Sequence, residues 1–374
     1  SCGKPARRER MLDMRVKKIL SMFLAAVMLC ALLPVTALAA FSPEDFTKSS
    51  WFGQFTGAYE NTPVERYIDF TIDECDSSGN LTGSAKITTV EGELRDNDWC
   101  TYEFKGAIDF AKNTFYMETV RITGSINGVN WIVNPFNAVI QMNDKGDMSL
   151  SGTYRNTTYS GEYIGDVPFF ATRTSAWARD EMTQANILGL IPDTLKDADM
   201  TKRITRAEFA AVSVKLYESL TGTTAEASST PFTDISGDSN RTDIEKAYGL
   251  GIAVGVSDQE FAPDVAINRE QLATMLCRTI KKYKFDGWTI DSDDQYQLDT
   301  SGVSTFADDA DISDYARPSV YYMSKMGIIK GVDDIHFAPK NITPEQEAQG
   351  YATATREQAI ALSLRIYKLS DILK

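Results

Sequence analysis

One seven-residue pattern occurs three times in the C-terminal half of the chain, and it limits the architecture more than any other feature. It reads ITRAEFA at 204–210, INREQLA at 267–273 and ATREQAI at 354–360. In each copy Thr205, Asn268 or Thr355 stands three residues before Glu208, Gln271 or Gln358, just ahead of an apolar run. That is the reciprocal capping arrangement which opens a helix. Each copy then puts an arginine, Arg206, Arg269 or Arg356, at the first helical position. There its charge meets the positive end of the helix dipole. An unfavourable placement made three times calls for an anion to offset it.

The flanking sequence falls into register around these starts. Gly189 of ILGLI, Gly251 of GLGIA and Gly327 of KMGII precede the arginines by 17, 18 and 29 residues, so the third unit carries an insertion around NITPEQEAQGY. Units two and three also share an opening, PFTDI with Asp234 and TFADD with Asp308, and a middle, EFAPD and HFAPK. Aligning on the glycine sets Trp177 of unit one against Tyr315 of unit three. Phe209, Val212, Leu216 and Leu220 share one helical face, as do Leu272, Leu276 and Ile280, and Ile360, Leu364 and Tyr367. Repetition of this length predicts helical units that stack on a common core, over 174–222, 231–285 and 304–374. A polar linker, TGTTAEASST, separates the first two.

Residues 41–173 have a different period. YIDFTIDEC alternates Ile68, Phe70 and Ile72 with Asp69, Thr71 and Asp73, and similar short runs are parted by turn clusters such as DSSGN and NDKGD. The spacing predicts seven to nine antiparallel strands closed as a barrel or sandwich. The expected fold class is therefore multidomain, all-β followed by all-α. The opening WFGQFTGAYE and the Gly-x-aromatic strand ends are loosely similar to lipocalin-like barrels.

From Met14 the chain reads MRVKKIL, then SMFLAAVMLCALLPV, then TALAA. A basic start, an apolar stretch and small residues predict a secretory signal peptide ending after Ala39 or Ala40, with 1–13 upstream of it. Without 1–39 the net charge goes from −14 to about −19. Such a chain is repelled by nucleic acid and anionic lipid, and no further run is long and apolar enough to span a bilayer. Cys75 and Cys100 are candidates for a bridge in an oxidising compartment, and Cys277 reads as a core thiol. Cysteine and histidine spacing gives no metal site, and DSDD at 291–294 reads as a solvated loop. With His336 as the single histidine and no nucleophile motif, no catalytic residues are nominated and no cofactor is expected.

The repeats resemble S-layer homology domains. That family's pattern runs F-x-D, an aromatic, a helix ending in G-I-I-x-G, then F-x-P and I-T-R-A-E-F. Unit one lacks F-x-D, and unit two has Asn268 in place of threonine. The resemblance implies a pseudo-threefold bundle that binds secondary cell-wall polysaccharide, often through pyruvylated sugars, in grooves between repeats. It passes the role of ligand contact to Arg206, Arg269 and Arg356, and of close sugar approach to Gly189, Gly251 and Gly327. Asp234, Asp308 and Trp177 join them as candidate contacts.

The chemistry fits that reading. A pyruvate ketal presents a planar carboxylate that a guanidinium grips with two parallel hydrogen bonds, and free amides at a helix start add to the attraction. Bland readings stand beside it. The arginines pair with Asp234 or Asp308 across repeat boundaries; the aspartates cap loops; Trp177 and Tyr315 pack at helix starts. The whole chain is then expected to be an exported, wall-attached protein displaying a β domain of unidentified partner. The alternative is a small-ligand or carbohydrate-binding barrel for which the repeats are only the anchor.

Overall fold

The computed structural model describes residues 41–59, 62–90, 98–128, 130–158 and 160–373. The expected signal peptide lies outside them. Eight strands, β1 (Ser49–Tyr59), β2 (Thr62–Cys75), β3 (Asn80–Thr89), β4 (Trp99–Asp109), β5 (Thr114–Ser125), β6 (Phe136–Met142), β7 (Met148–Thr157) and β8 (Tyr163–Arg173), run antiparallel in chain order. They close as a barrel when β8 pairs back onto β1, from Trp51 opposite Arg173 to Phe55 opposite Phe169. Closure gives every described strand a partner on both sides, which is how an up-and-down sheet limits pairing with other chains, although β6 meets β5 only from Thr114 to Met117.

The alternation in YIDFTIDEC decides which side faces in. Ile68, Phe70 and Ile72 are fully buried inside the barrel. They join Trp51, Phe55, Phe104, Phe115, Phe136 and Phe169, whose rings meet at centroid distances between 4.8 and 6.1 Å. The interior is filled by side chains. The polar face of β2 holds a surprise for a strand read as half-solvated, since Asp69 and Tyr67 are buried too. A helix covers them: Arg179 donates to the Thr71 hydroxyl at 3.0 Å and Asn186 to the Tyr67 hydroxyl at 2.9 Å.

Cys75 and Cys100, the candidates for a bridge, do not form one, and all three described cysteines are free. Cys75 lies opposite Leu81 and Cys100 opposite Ile87, six residues apart along β3. That separation is about 20 Å of extended chain, several times the reach of a disulfide.

After the barrel come α1 (Arg179–Ile187), α2 (Arg206–Thr221), α3 (Arg241–Gly249), α4 (Arg269–Lys284), α5 (Arg317–Lys325), α6 (Pro344–Gln349), α7 (Arg356–Lys368) and α8 (Ser370–Leu373). None of the described helices is long and apolar enough to cross a membrane. The helices opened by the repeated motif, α2, α4 and α7, are central. In α2 every residue from Arg206 to Val214 is buried, so the apolar stripe read from the sequence understates a helix enclosed on all faces. Helices α1, α3 and α5 are nine residues each, and each stops two residues before its glycine. Gly189, Gly251 and Gly327 take φ of 68°, 75° and 66°, the left-handed cap that lets the helix end and the chain turn back. The insertion in the third unit folds as α6.

Candidate functional site: the repeated helix starts

All three capping boxes form as read, with Thr205, Asn268 and Thr355 accepting from the amides of Glu208, Gln271 and Gln358. The next amides are not free to meet a ligand. Arg206 N donates to Val265 O and Ala207 N to Pro263 O; Arg269 N to Ala352 O and Glu270 N to Pro339 O; Arg356 N to Lys202 O and Glu357 N to Met200 O. Short bridges Thr205–Ala266, Asn268–Thr353 and Arg203–Thr355 accompany them. Each start is docked on the next unit, and the third returns to the first. The expectation that helix amides add an anion site is corrected: neighbouring carbonyls use them.

The arginines differ. Arg206 donates from Nε to Phe261 O (2.9 Å) and from Nη2 to Val254 O (3.1 Å), with its guanidinium 4.9 Å over the Phe261 ring. Arg269 repeats this with Phe337 O (2.9 Å), Lys330 O (2.6 Å) and the Phe337 ring at 5.0 Å. Neither forms an ion pair among the described residues. Burial pulls both below the ordinary arginine value, only partly opposed by Tyr315 and Asp234 near one and by Tyr351 and Asp308 near the other. A cation largely withdrawn from water and held by carbonyls still lacks a counter-charge.

Arg356 is satisfied. It forks onto Glu208 at 3.0 and 2.6 Å and reaches Asp147 Oδ1 and Asp199 O, both at 2.9 Å. Burial works against its charge, but these carboxylates outweigh burial and hold it above the ordinary value. Asp147 comes from the β6–β7 turn of the barrel.

Asp234 and Asp308 do not reach the arginines. Their oxygens accept from the amides of Phe261 and Ala262 at 2.8–3.1 Å, and of Phe337 and Ala338 at 2.9 and 2.7 Å. This clamps the F-A-P loops, in which Ala262 and Ala338 adopt φ of 58° and 57°. One of the two carbonyls that hold each arginine, Phe261 O for Arg206 and Phe337 O for Arg269, belongs to those same loops, so the aspartates act one step behind the arginines.

Trp177 and Tyr315 are half-exposed. The segment just before each is tethered by the second residue of a central helix: Glu357 accepts from Ser175 N at 2.8 Å, and Glu270 from Ser313 N and Oγ at 2.9 and 2.8 Å. Burial, aided by Glu270 at 3.4 Å from the hydroxyl, pushes the Tyr315 phenol up to about 12.

These elements meet in a cleft of about 220 Å³ lined by Trp177, Arg269, Lys330, Gln358 and Arg365 over an apolar floor of Leu272, Ile329 and Leu362. An aromatic face, three cations, an amide and an apolar base suit a sugar carrying a carboxylate. Gly327 flanks this cleft's Ile329–Lys330 turn, and a Cβ there would meet nothing within 4 Å. At Gly251, beside Arg206, an added Cβ would meet Trp288 at 3.3 Å and Ile290 at 3.5 Å, because the 288–295 segment is folded over it. Asp293 pins that segment by accepting from Lys281 and Trp288, both at 2.8 Å, so the acidic run is structural. Two other clefts, of about 290 and 340 Å³, are lined by linker residues 227–230 and by the Asp308–His336 loop region. No group of metal-ligating side chains occurs among the described residues.

The sequence reading missed Glu270, Glu357, Lys330 and Arg365. The first two were legible as the E of N-R-E-Q and T-R-E-Q. The other two stand in the cleft through chain geometry, with Arg365 held by Ile328 O at 3.0 Å.

The S-layer homology domain model matches residues 231–273 and 305–343. An exoglucanase, XynX, of Acetivibrio thermocellus is 25% identical over 329 residues, 81% of this chain and 28% of that protein. An amylopullulanase of Thermoanaerobacterium thermosulfurigenes is 32% identical over 211 residues, 54% of this chain and 10% of that protein. A cellulosome-anchoring protein of A. thermocellus is 32% identical over 124 residues, 32% of this chain and 27% of that protein. The chain thus spans under a third of the length of these relatives.

Proposed function

We propose that the helices form three S-layer homology repeats in a pseudo-threefold bundle, and that this bundle attaches the chain to an acidic secondary cell-wall polysaccharide. The first repeat rests on Gly189, on the capped start at Arg206 and on its place in the cycle of helix starts. The carrying observation is the cleft in which Arg269, an arginine without a carboxylate partner, faces Trp177 and Gln358. A pyruvate ketal supplies the missing charge there while its sugar ring lies along the indole. Arg269 with Gly327 is the open socket; Arg206 with Gly251 is narrowed by the 288–295 segment, and Arg356 is filled from within. The protein is then a cell-surface one, and the anchoring name of one relative agrees with this. The glucanase and pullulanase names belong to proteins several times longer, and for this chain the reading is attachment without hydrolysis.

The alternative of a small-ligand barrel has against it an interior packed with Trp51 and six phenylalanines, which leaves the barrel's outer surface to meet a partner. Co-sedimentation of the full chain with cell walls, before and after chemical removal of the polysaccharide, tests the attachment. Retention lost with the polysaccharide supports it; equal retention on both preparations overturns it.

A further inference from the structure

The third helical position differs among the central helices, and the difference coincides with the state of the arginine beside it. Gln358 shares the cleft of Arg269. Glu208, at the same position of α2, forks onto Arg356. One more step round the cycle assigns Gln271 to Arg206. A glutamine offers a guanidinium one neutral acceptor, whereas a glutamate offers the two-oxygen anion that matches its fork. We propose that the Arg356 centre is a third carboxylate socket of the same design, occupied by the chain's own carboxylates, and that Glu208 is the residue that closes it.

The surroundings support a socket and not an ordinary core ion pair. Three cations converge there: Arg356, Lys202 at 3.0 Å from Asp147, and Lys145 at 3.8 Å from Glu208. Two carboxylates answer them, and both are almost completely buried. Asp147 arrives from the β6–β7 turn, 209 residues before Arg356. Its turn is held by Lys202, which also donates to the carbonyls of Lys145 and Gly146, and by Asn143 Oδ1, which accepts from Asp147 N at 2.8 Å. The barrel thus places a carboxylate on the guanidinium where an external ligand would place its own. Fixed in this way, the third centre joins barrel to repeats and leaves the polymer to the other two. Neutralising Glu208 and Asp147 leaves three cations without an internal anion, which is a ligand site for a carboxylate.

This inference rests on the reading of Arg269 as a carboxylate socket, and the experiment separates the two. Wild type, E208Q and E208Q/D147N are titrated by calorimetry with a methyl glycoside bearing a pyruvate ketal, and the number of sites is read. Wild type is expected to bind chiefly through Arg269, with most of the heat lost in Arg269→Ala. The double variant is expected to gain one site, and that gain is expected to vanish when Arg356→Ala is added. Cooperative thermal unfolding establishes which variants are folded. If the double variant does not fold, E208Q alone decides, since glutamine is the residue at this position in the other two helices. An unchanged number of sites in the folded variant overturns the proposal while leaving the Arg269 reading intact. A wild type that binds none of the glycoside overturns both.

Discussion

Arg269 is bound twice to Phe337: its Nε donates to the backbone oxygen at 2.9 Å while its guanidinium lies 5.0 Å over the ring of the same residue. With Nη2 committed to Lys330 O, the fork is fixed in direction in a guanidinium that lines the cleft. A lysine cannot hold two carbonyls in one plane and still present a directed donor. Arg269→Lys is therefore expected to weaken wall retention by about tenfold or more, the loss of roughly one charge-assisted bond. Arg206→Lys, in the narrowed site, is expected to cost less. Binding isotherms on purified walls check the pair, and equal losses would contradict the ranking of the two clefts.

Asp308 supports that geometry from behind. Its two oxygens serve two consecutive amides at 2.9 and 2.7 Å, the second on Ala338 with φ of 57°. Asp308→Ala leaves both amides without an acceptor and is expected to destabilise the fold by about 2–4 kcal/mol. Ala338→Gly relieves the left-handed strain and is expected to be neutral or stabilising by up to about 1 kcal/mol. Urea unfolding of the two variants gives shifts of opposite or zero sign if the loop is held as described.

The motif was legible because it is local. A capping box, a left-handed glycine and an F-A-P loop are each set by residues within a few positions, so Thr205, Gly189 and the helix starts fell where their spacing put them. The barrel was legible for the same reason, since alternation in Ile68, Phe70 and Ile72 fixes a face. What a start touches is not local. Arg206 and Arg356 carry the same signature, yet one meets carbonyls 48 and 55 residues away and the other a carboxylate 209 residues away. No period in the sequence encodes that the β6–β7 turn lands on the third start. The cover over Asp69 and Tyr67 was hidden likewise, because it is supplied by Arg179 and Asn186, which stand 108 and 119 residues beyond the groups they bond.

That cover makes stability depend on pH. Burial raises Asp69 to about 6, against the nearby charges of Arg179 and Lys86, which lower it, and with Asp180, which adds to the rise. The folded chain holds this proton more tightly than the unfolded one. The associated stability is complete below the unfolded value near 4 and is lost as pH rises through about 6. Acidification from pH 7.5 to 5 is thus expected to stabilise the chain by about 1.4 kcal/mol through this group, roughly half of the whole effect. Asp147 works the other way, being held low by Arg356 and Lys202 against its burial, and its contribution fades only below about pH 4. Asp69→Asn should flatten the slope between pH 5 and 7.5 in denaturant midpoints. A slope unchanged by the substitution would show that the carboxylate is not the source.

Gly327 and Gly189 offer a matched pair for separating stability from binding. Both end nine-residue helices, with φ of 66° and 68°, and at both an added Cβ meets nothing within 4 Å. Alanine at either position carries the same backbone penalty of about 1–2 kcal/mol, so the two variants are expected to unfold at similar denaturant concentrations. Their surroundings differ. Gly327 adjoins the Ile329–Lys330 turn beside Arg269, whereas Gly189 belongs to the unit whose Asp199 carbonyl and Glu208 carboxylate fill the Arg356 centre. A methyl group on Gly327 intrudes where a sugar must approach the backbone, and Gly327→Ala is expected to lower wall affinity several-fold beyond its effect on folding. Gly189→Ala is expected to leave affinity unchanged in the folded chain. Affinity lost equally in both would place the polymer elsewhere than the Trp177–Arg269 cleft.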